Sequence, residues 1–184
     1  KARTGIVRIN YRNSTFLQTM QTFFAGYRTY TSIINCTFSN NPKKTASHGG
    51  LYLTVVGYNT STITVQDCLF EKQVNDDVVQ SVMNIFMAAL TLRSKVQNEK
   101  IKNSNVTVVI ENCNFDDNER GLTFIGPFQH VTVSKCTFTK NIAMHAAAGI
   151  LFLTHRETNT SINDCTFNNN AAGAYRKEKV KDKE

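Results

Sequence analysis

The sequence predicts an all-β solenoid, a parallel β-helix, and three observations carry this prediction. A four-residue string recurs, apolar residues precede it at fixed distances, and a third apolar run stands upstream of several copies. The string is Asn-Cys-Thr-Phe at Asn35–Phe38, and a degenerate copy at Asn13–Phe16 has serine in place of cysteine. A fixed repeat of this kind is typical of stacked structural units. We expect about five to six coils with three short strands in each.

The spacing within a copy predicts two strands joined by a corner. Ile63 and Val65 stand five and three positions before Cys68, and other copies repeat these distances. Residues two apart share one face of a strand, whereas the step of three from Val65 to Cys68 breaks the alternation. A bend at the polar pair Gln66-Asp67 explains the break, because such residues suit turns. The third strand is predicted from runs such as Gly121-Leu122-Thr123-Phe124.

Equivalent residues of stacked coils are expected to form ladders with a spacing of about 4.8 Å. The predicted core ladder consists of Cys36, Cys68, Cys113, Cys136 and Cys165, with Phe16, Phe38, Phe70, Phe115, Phe138 and Phe167. The predicted turn ladder, three positions after each phenylalanine, consists of Asn41, Gln73, Asn118, Asn141 and Asn170. We expect the cysteines to be buried free thiols, with a disulfide and a metal site as alternatives. No cofactor is predicted.

The coils are expected to form one domain over residues 1–172, followed by a charged tail or linker at 173–184. The span from Cys68 to Cys113 is predicted to be one coil that carries an inserted loop. Its third strand is placed at Met83–Phe86, and the expanded loop lies near 93–104. A short helix and a sixth full coil are the alternatives. Because the chain starts at Lys1 without a methionine, it is expected to be part of a longer protein.

The repeats resemble those of a known superfamily. The chain looks like a right-handed parallel β-helix of the pectin-lyase-like superfamily. The Phe-x-x-Asn and Gly-Gly-aliphatic strings are similar to repeats of polymorphic outer-membrane proteins and related surface proteins. The resemblance covers about residues 5–172. It implies the fold rather than an activity, since this fold carries lyases, hydrolases, adhesins and spacers.

Glycosylation sequons favour a secreted or cell-surface protein. Asn59, Asn105 and Asn159 each begin an Asn-x-Ser/Thr triplet, and all three fall in the connection expected to form one edge of the solenoid. They are the predicted glycan sites. Asn13 and Asn35 also begin sequons, but we expect them to be packed turn residues. No apolar run is long enough to predict a membrane span.

The same edge gathers basic residues, and the chain has a formal net charge of +7. We expect a scattered solvated surface, with a basic edge that binds an anionic partner, such as an acidic glycan or acidic membrane lipid, as the alternative. Nucleic acid is not expected, because no known module combining aromatic and basic residues is present. The predicted edge consists of Arg93, Lys95, Lys100, Lys102, His130, His155 and Arg156.

No arrangement of residues predicts catalysis. Strings reminiscent of polygalacturonases occur at Ser47-His48-Gly49 and Asp116-Asp117, but their order along the chain differs from that of the family. We therefore expect a non-enzymatic structural or adhesive module of the cell surface or extracellular matrix. Its partners are proteins or glycans, and it is expected to self-associate through its coil ends. The alternative is a polysaccharide lyase or hydrolase, or a degenerate carbohydrate-binding relative.

Overall fold

The computed structural model describes residues 6–17, 21–25, 28–39, 51–56, 60–72, 90–95, 105–125, 128–143, 147–153 and 157–173. Every regular element in these ranges is a β-strand. The strands are β1 (Ile6–Arg12), β2 (Thr15–Leu17), β3 (Gln21–Ala25), β4 (Arg28–Ile34), β5 (Thr37–Ser39), β6 (Leu51–Val56), β7 (Ser61–Gln66), β8 (Leu69–Glu71), β9 (Leu90–Lys95), β10 (Val106–Glu111), β11 (Asn114–Asp116), β12 (Leu122–Ile125), β13 (His130–Ser134), β14 (Thr137–Thr139), β15 (Ile142–Ala143), β16 (Ile150–Leu153), β17 (Asn159–Asn163), β18 (Thr166–Asn168) and β19 (Ala171–Ala172).

Successive turns of the chain stack these strands into three parallel sheets. The first sheet has the order β1-β4-β7-β10-β13-β17, and the second has β2-β5-β8-β11-β14-β18. The third has the order β3-β6-β9-β12-β16, and β15 pairs with β19 in a small fourth sheet. Since each turn adds one strand to each main sheet, the chain is a solenoid with three walls. The predicted architecture of three short strands per coil is confirmed.

Each coil turns its corners through single residues in the left-handed conformation. The residue before each cysteine position has a φ angle of 51° to 54°, as in Asn35, Asn112 and Lys135. A second corner of the same kind precedes the turn-ladder position, as at Asp117. Asparagine and aspartate tolerate this conformation better than most other residues with a side chain. The predicted bend is therefore confirmed, but Cys68 belongs to the corner, since β8 begins after it.

Stacked phenylalanine rings run through the core. Neighbouring rings from Phe16 to Phe167 have centroids 4.7 to 5.0 Å apart and are nearly parallel. Phe38, Phe70, Phe115 and Phe138 are buried, whereas Phe16 is half-buried and Phe167 is 52% exposed. The ladder thus ends in accessible rings on the first and last coils.

The cysteines form a second ladder, and all five are free thiols. Each thiol from Cys68 onwards donates to a carbonyl of the preceding coil, as Cys113 Sγ does to Val65 O at 3.6 Å. The neighbouring thiols of Cys136 and Cys68, together with burial, raise the pKa of Cys113 well above its ordinary value. Because four of the five thiols are buried and none is in a disulfide, they act as small core side chains.

Thiol labelling is expected to follow the ladder. Cys165 is partly exposed, whereas Cys36, Cys68, Cys113 and Cys136 are buried. Because access and thiolate content control alkylation, iodoacetamide should modify Cys165 first. Burial raises the pKa of Cys165, so its labelling should be slow at neutral pH and faster as the pH rises. Peptide-mapping mass spectrometry measures the order, and labelling of all five at one rate in native protein would contradict it.

The turn ladder consists of buried amides. Asn118 and Asn141 are fully buried, and their Nδ2 atoms donate to the carbonyls of Phe70 at 3.0 Å and Phe115 at 2.9 Å. The Oδ1 atom of Asn141 accepts the backbone N–H of Asn118 at 3.1 Å. Asn170 continues the pattern at the last coil. Each amide thereby satisfies backbone groups of neighbouring coils that corners leave unpaired. Asn41 and Gln73 lie outside the described residues.

The long span between Cys68 and Cys113 forms one coil, as predicted. Strand β8 pairs directly with β11, and Phe70 stands opposite Phe115, so a sixth full coil between them is excluded. The third strand of this coil is β9, and the prediction of a strand at Met83–Phe86 lies outside the described residues. Arg93 belongs to β9, so the expectation of a loop from this residue onwards is wrong.

Candidate functional site

The outer face of the first sheet is mostly polar. Side chains of β7 alternate, so that Ile63 and Val65 are buried while Thr62 and Thr64 are half-buried. Strands β10 and β13 alternate in the same way. Since the strands are parallel and in register, the outward residues of successive coils form rows across the sheet.

Two of these rows meet in a cleft at the first three coils. One row contains Arg8, Tyr30 and Thr62, and the other contains Asn10, Ser32 and Thr64. The cleft has a volume of about 320 Å³. Its lining residues are Arg8, Asn10, Tyr30, Thr31, Ser32, Thr62 and Thr64.

The chemistry of the cleft suits a hydroxylated, anionic ligand. Arg8 and Asn10 are exposed, and Tyr30 is 42% exposed. A guanidinium group offers several donors to a carboxylate or sulfate, and a tyrosine presents both an apolar ring and a hydroxyl group. Hydroxyl groups from Ser32 and Thr64 add donors and acceptors at strand spacing. The cleft thus combines one cationic side chain, one aromatic ring and several polar side chains.

The predicted basic edge is only partly described. Arg93 and Lys95 lie in β9, and Arg93 pairs in register with Ile125. His130 is exposed at the start of β13. Lys100, Lys102, His155 and Arg156 lie outside the described residues.

The two predicted glycan sites that the structure describes lie where strands of the first sheet begin. Asn105 is half-buried immediately before β10, and its carbonyl accepts the N–H of Ser61 at 2.9 Å. Asn159 is exposed at the start of β17. The strand register places it level with Thr107, two residues beyond Asn105. Asn59 lies outside the described residues.

The two corner sequons occupy left-handed turns. Asn13 and Asn35 have φ angles of 51° and 52°, which confirms their turn position. Both are exposed, so the expectation that they are packed is wrong. The Nδ2 atom of Asn35 donates to Oδ1 of Asn13 at 2.8 Å, and this bond engages the atom that a glycan would modify.

The acidic pair Asp116-Asp117, which is reminiscent of polygalacturonases, has a structural position in the coil. Asp116 ends β11, and Asp117 forms the second corner with a φ angle of 55°. Ser47-His48-Gly49 lies outside the described residues. Over the described part of the chain, no group of three or more His, Cys, Asp or Glu residues is placed to hold a metal ion. Within the same ranges, no helix has the length and apolar character to cross a membrane.

Sequence reasoning missed the cleft. The alternation within their strands predicts that Thr64, Val109 and Thr132 face outward, but this row was not extended to the first coil. Aligning the degenerate copy at Asn13–Phe16 with the others would have placed Asn10 beside Ser32. The spacing of the repeat copies was therefore sufficient to predict this row.

Comparison with known proteins identifies the architecture. The model of a family described as right handed beta helix region matches residues 26–178. This match, with the stacked parallel sheets, confirms the prediction of a right-handed parallel β-helix. No match was found among curated proteins or among solved structures.

Proposed function

The chain belongs to the right-handed β-helix family, and we propose that it is a non-enzymatic module that displays the cleft of its first sheet to an acidic glycan. The observation that carries the proposal is the cleft itself, which Arg8 and Tyr30 line together with the hydroxyl-bearing side chains of Ser32, Thr62 and Thr64. Ligand sites typically combine a concave surface with a few converging polar groups.

The scaffold supports this role because it holds the cleft in a fixed register. The phenylalanine and cysteine ladders lie inside the coils that carry the cleft and join each of these coils to the next. Preorganised side chains lose less conformational entropy when a ligand binds. A stiff solenoid therefore suits the contact surface of an adhesive or structural module.

We place the module outside the cell, as a secreted or surface-displayed glycoprotein. The sequons at Asn59, Asn105 and Asn159 support this placement, since N-glycans are added on the secretory route. Mass spectrometry of natively sourced protein tests it, and three unmodified sites would remove this support. The finer resemblance to the pectin-lyase-like superfamily and to polymorphic outer-membrane repeats is part of the same proposal.

The binding test compares two arginines of one strand. Arg8 lines the cleft, whereas Arg12 lies on the same exposed face of β1 but outside the cleft. Calorimetric titration with heparin and oligogalacturonate fragments is expected to give at least about a tenfold weaker affinity for Arg8→Gln and for Tyr30→Ala. Arg12→Gln should change the affinity by less than about twofold, because a distant exposed charge is screened by salt.

Several outcomes would overturn the proposal. Equal losses for Arg8→Gln and Arg12→Gln would show diffuse attraction rather than a cleft. Glycan affinity that falls on substitution of Arg93, Lys95, Lys100 and Lys102, and not of Arg8, would assign binding to the predicted basic edge. Release of reducing ends or unsaturated products from either polysaccharide would favour the alternative, a polysaccharide-acting enzyme.

A further inference from the structure

The row of outward side chains that begins at Arg8 continues beyond the cleft. The cleft covers this row only as far as Thr62 in the third coil. The strand register carries the row on through β10 and β13 to β17. We call it the Arg8 row. In order along the first sheet, it consists of Arg8, Tyr30, Thr62, Thr107, His130 and Asn159.

The Arg8 row has prominent side chains on either side of a low, uncharged stretch. Arg8 and Tyr30 are exposed on one side of this stretch, and His130 is exposed on the other. Thr62 and Thr107, which lie between them, are half-buried. Four strand steps separate Arg8 from His130, which corresponds to about 19 Å at the usual spacing of a β-sheet. A ligand that is longer than the cleft and lies along the row therefore reaches both side chains.

The described surroundings of His130 contain little negative charge. Its register neighbours on β10 and β17 are a threonine and an asparagine. Glu111 lies two outward positions further along β10, and its Oε1 atom pairs with Lys135 Nζ at 3.2 Å. Glu157 is exposed just before β17 and is the other described carboxylate near this end of the row. An anionic group above His130 therefore meets no unpaired carboxylate in the positions beside it.

We propose that an acidic glycan longer than the cleft continues along the Arg8 row and that His130 forms a second anionic subsite for it. This inference rests on the proposed function, because the cleft holds the first part of the same ligand. An imidazole donates a hydrogen bond when neutral and adds a positive charge when protonated. A long glycan should therefore bind more tightly as the pH falls, whereas a fragment confined to the cleft does not reach His130.

The sequon at Asn159 sets the far limit of the accessible row. Asn159 stands beside His130 on the following coil, and an N-glycan at this position would compete with a ligand for the second subsite. Binding is therefore measured in an Asn159→Gln background, which keeps an amide side chain but is not glycosylated.

The test varies ligand length and pH together, by calorimetric titration with two heparin fragments. The short fragment spans the cleft, the long one spans five coils, and the sulfate groups of both stay ionised throughout. From about pH 7.5 to about pH 5.5, affinity for the long fragment should rise about threefold, the size expected of one exposed ion pair. Affinity for the short fragment should change by less than about 1.5-fold at physiological ionic strength, where distant charges are screened.

Two histidine variants identify the group responsible. His130→Gln keeps a side chain that donates hydrogen bonds but has no charge, so it should abolish the rise for the long fragment. His145→Gln alters a histidine that belongs to no predicted site, and the rise should persist. A rise that survives His130→Gln, or one that disappears in His145→Gln, would overturn the second subsite.

Arg8→Gln separates failure of this inference from failure of the proposed function. If this variant weakens both fragments but the long fragment shows no rise at acidic pH, the cleft stands and the subsite at His130 is wrong. If Arg8→Gln weakens neither fragment, the proposed function is wrong and the inference fails with it. Loss of affinity for both fragments in Arg8→Gln, together with loss of the acidic rise in His130→Gln alone, supports both.

Discussion

Phe115→Ala is expected to lower the free energy of unfolding by about 4 kcal/mol. Phe115 is fully buried. Its ring lies between those of Phe70, 5.0 Å away, and Phe138, 4.7 Å away. Truncation removes the transfer free energy of the ring and leaves a cavity open to both neighbours. The stacked strands hold those neighbours in place, so the cavity cannot collapse readily.

The matched control is Phe167→Ala at the exposed end of the same ladder. Phe167 is 52% exposed and stacks on Phe138 alone, so the expected loss is about 1 kcal/mol. Urea unfolding followed by circular dichroism measures both variants, at a concentration where the chain is monomeric. Equal losses at the two positions would contradict the view that the middle of the ladder carries the stability.

Gly121→Ala is expected to lower the free energy of unfolding by about 3 kcal/mol. A Cβ atom at this position would lie 2.6 Å from the carbonyl oxygen of Gly149 and 2.8 Å from a ring carbon of Phe138. The oxygen belongs to the backbone, and it accepts the N–H of Leu122 at 2.9 Å. The third sheet would have to move away from the phenylalanine ladder to admit one methyl group.

Substitutions at two other glycines serve as controls that distinguish steric crowding from backbone strain. A Cβ atom at Gly149 would meet the ring of Phe167 at 3.0 Å. That ring is half exposed and is able to shift, so Gly149→Ala should cost about 1 kcal/mol. Gly173 has a φ angle of 73° and no atom within 4 Å of a built Cβ, so its substitution costs only backbone strain, also about 1 kcal/mol. A Gly121→Ala loss no larger than these would refute the steric argument.

The sequence predicted the parts of the fold that repeat. The step of three residues before Cys68 marks a corner, because each coil turns there through one left-handed residue such as Asp67. The sequence did not predict β9 as the third strand of the long coil, and the reason is physical. Loop closure costs little extra as a loop lengthens, so an insertion leaves no periodic signal. Met83–Phe86 and Leu90–Lys95 both have strand-like apolar residues, and the sequence alone does not show that Leu90–Lys95 pairs with β6 and β12.

The candidate site was harder to predict because it depends on register between coils. Thr64 was recognised as outward-facing from the alternation within its own strand. Its neighbour Ser32 and the next neighbour Asn10 come from other coils, and the first coil has the weakest repeat signature. The burial of Asn118 was also missed, since a turn residue is normally exposed. Its amide is buried because it satisfies a carbonyl of another coil.

The parallel pairing of strands also determines the folding rate of the chain. Paired residues of adjacent coils are separated by 22 positions at Ile6 and Arg28 and by 45 at Ser61 and Val106. No strand pair is a local hairpin among the described pairings, so each contact requires closure of a long loop before it stabilises anything. Folding should therefore be slow, with nucleation limited by the first pair of coils. Strands β10 and β13 are expected to pair first, because the sequence separation between them is short and their paired core residues are buried. Later coils then add to this pair one at a time.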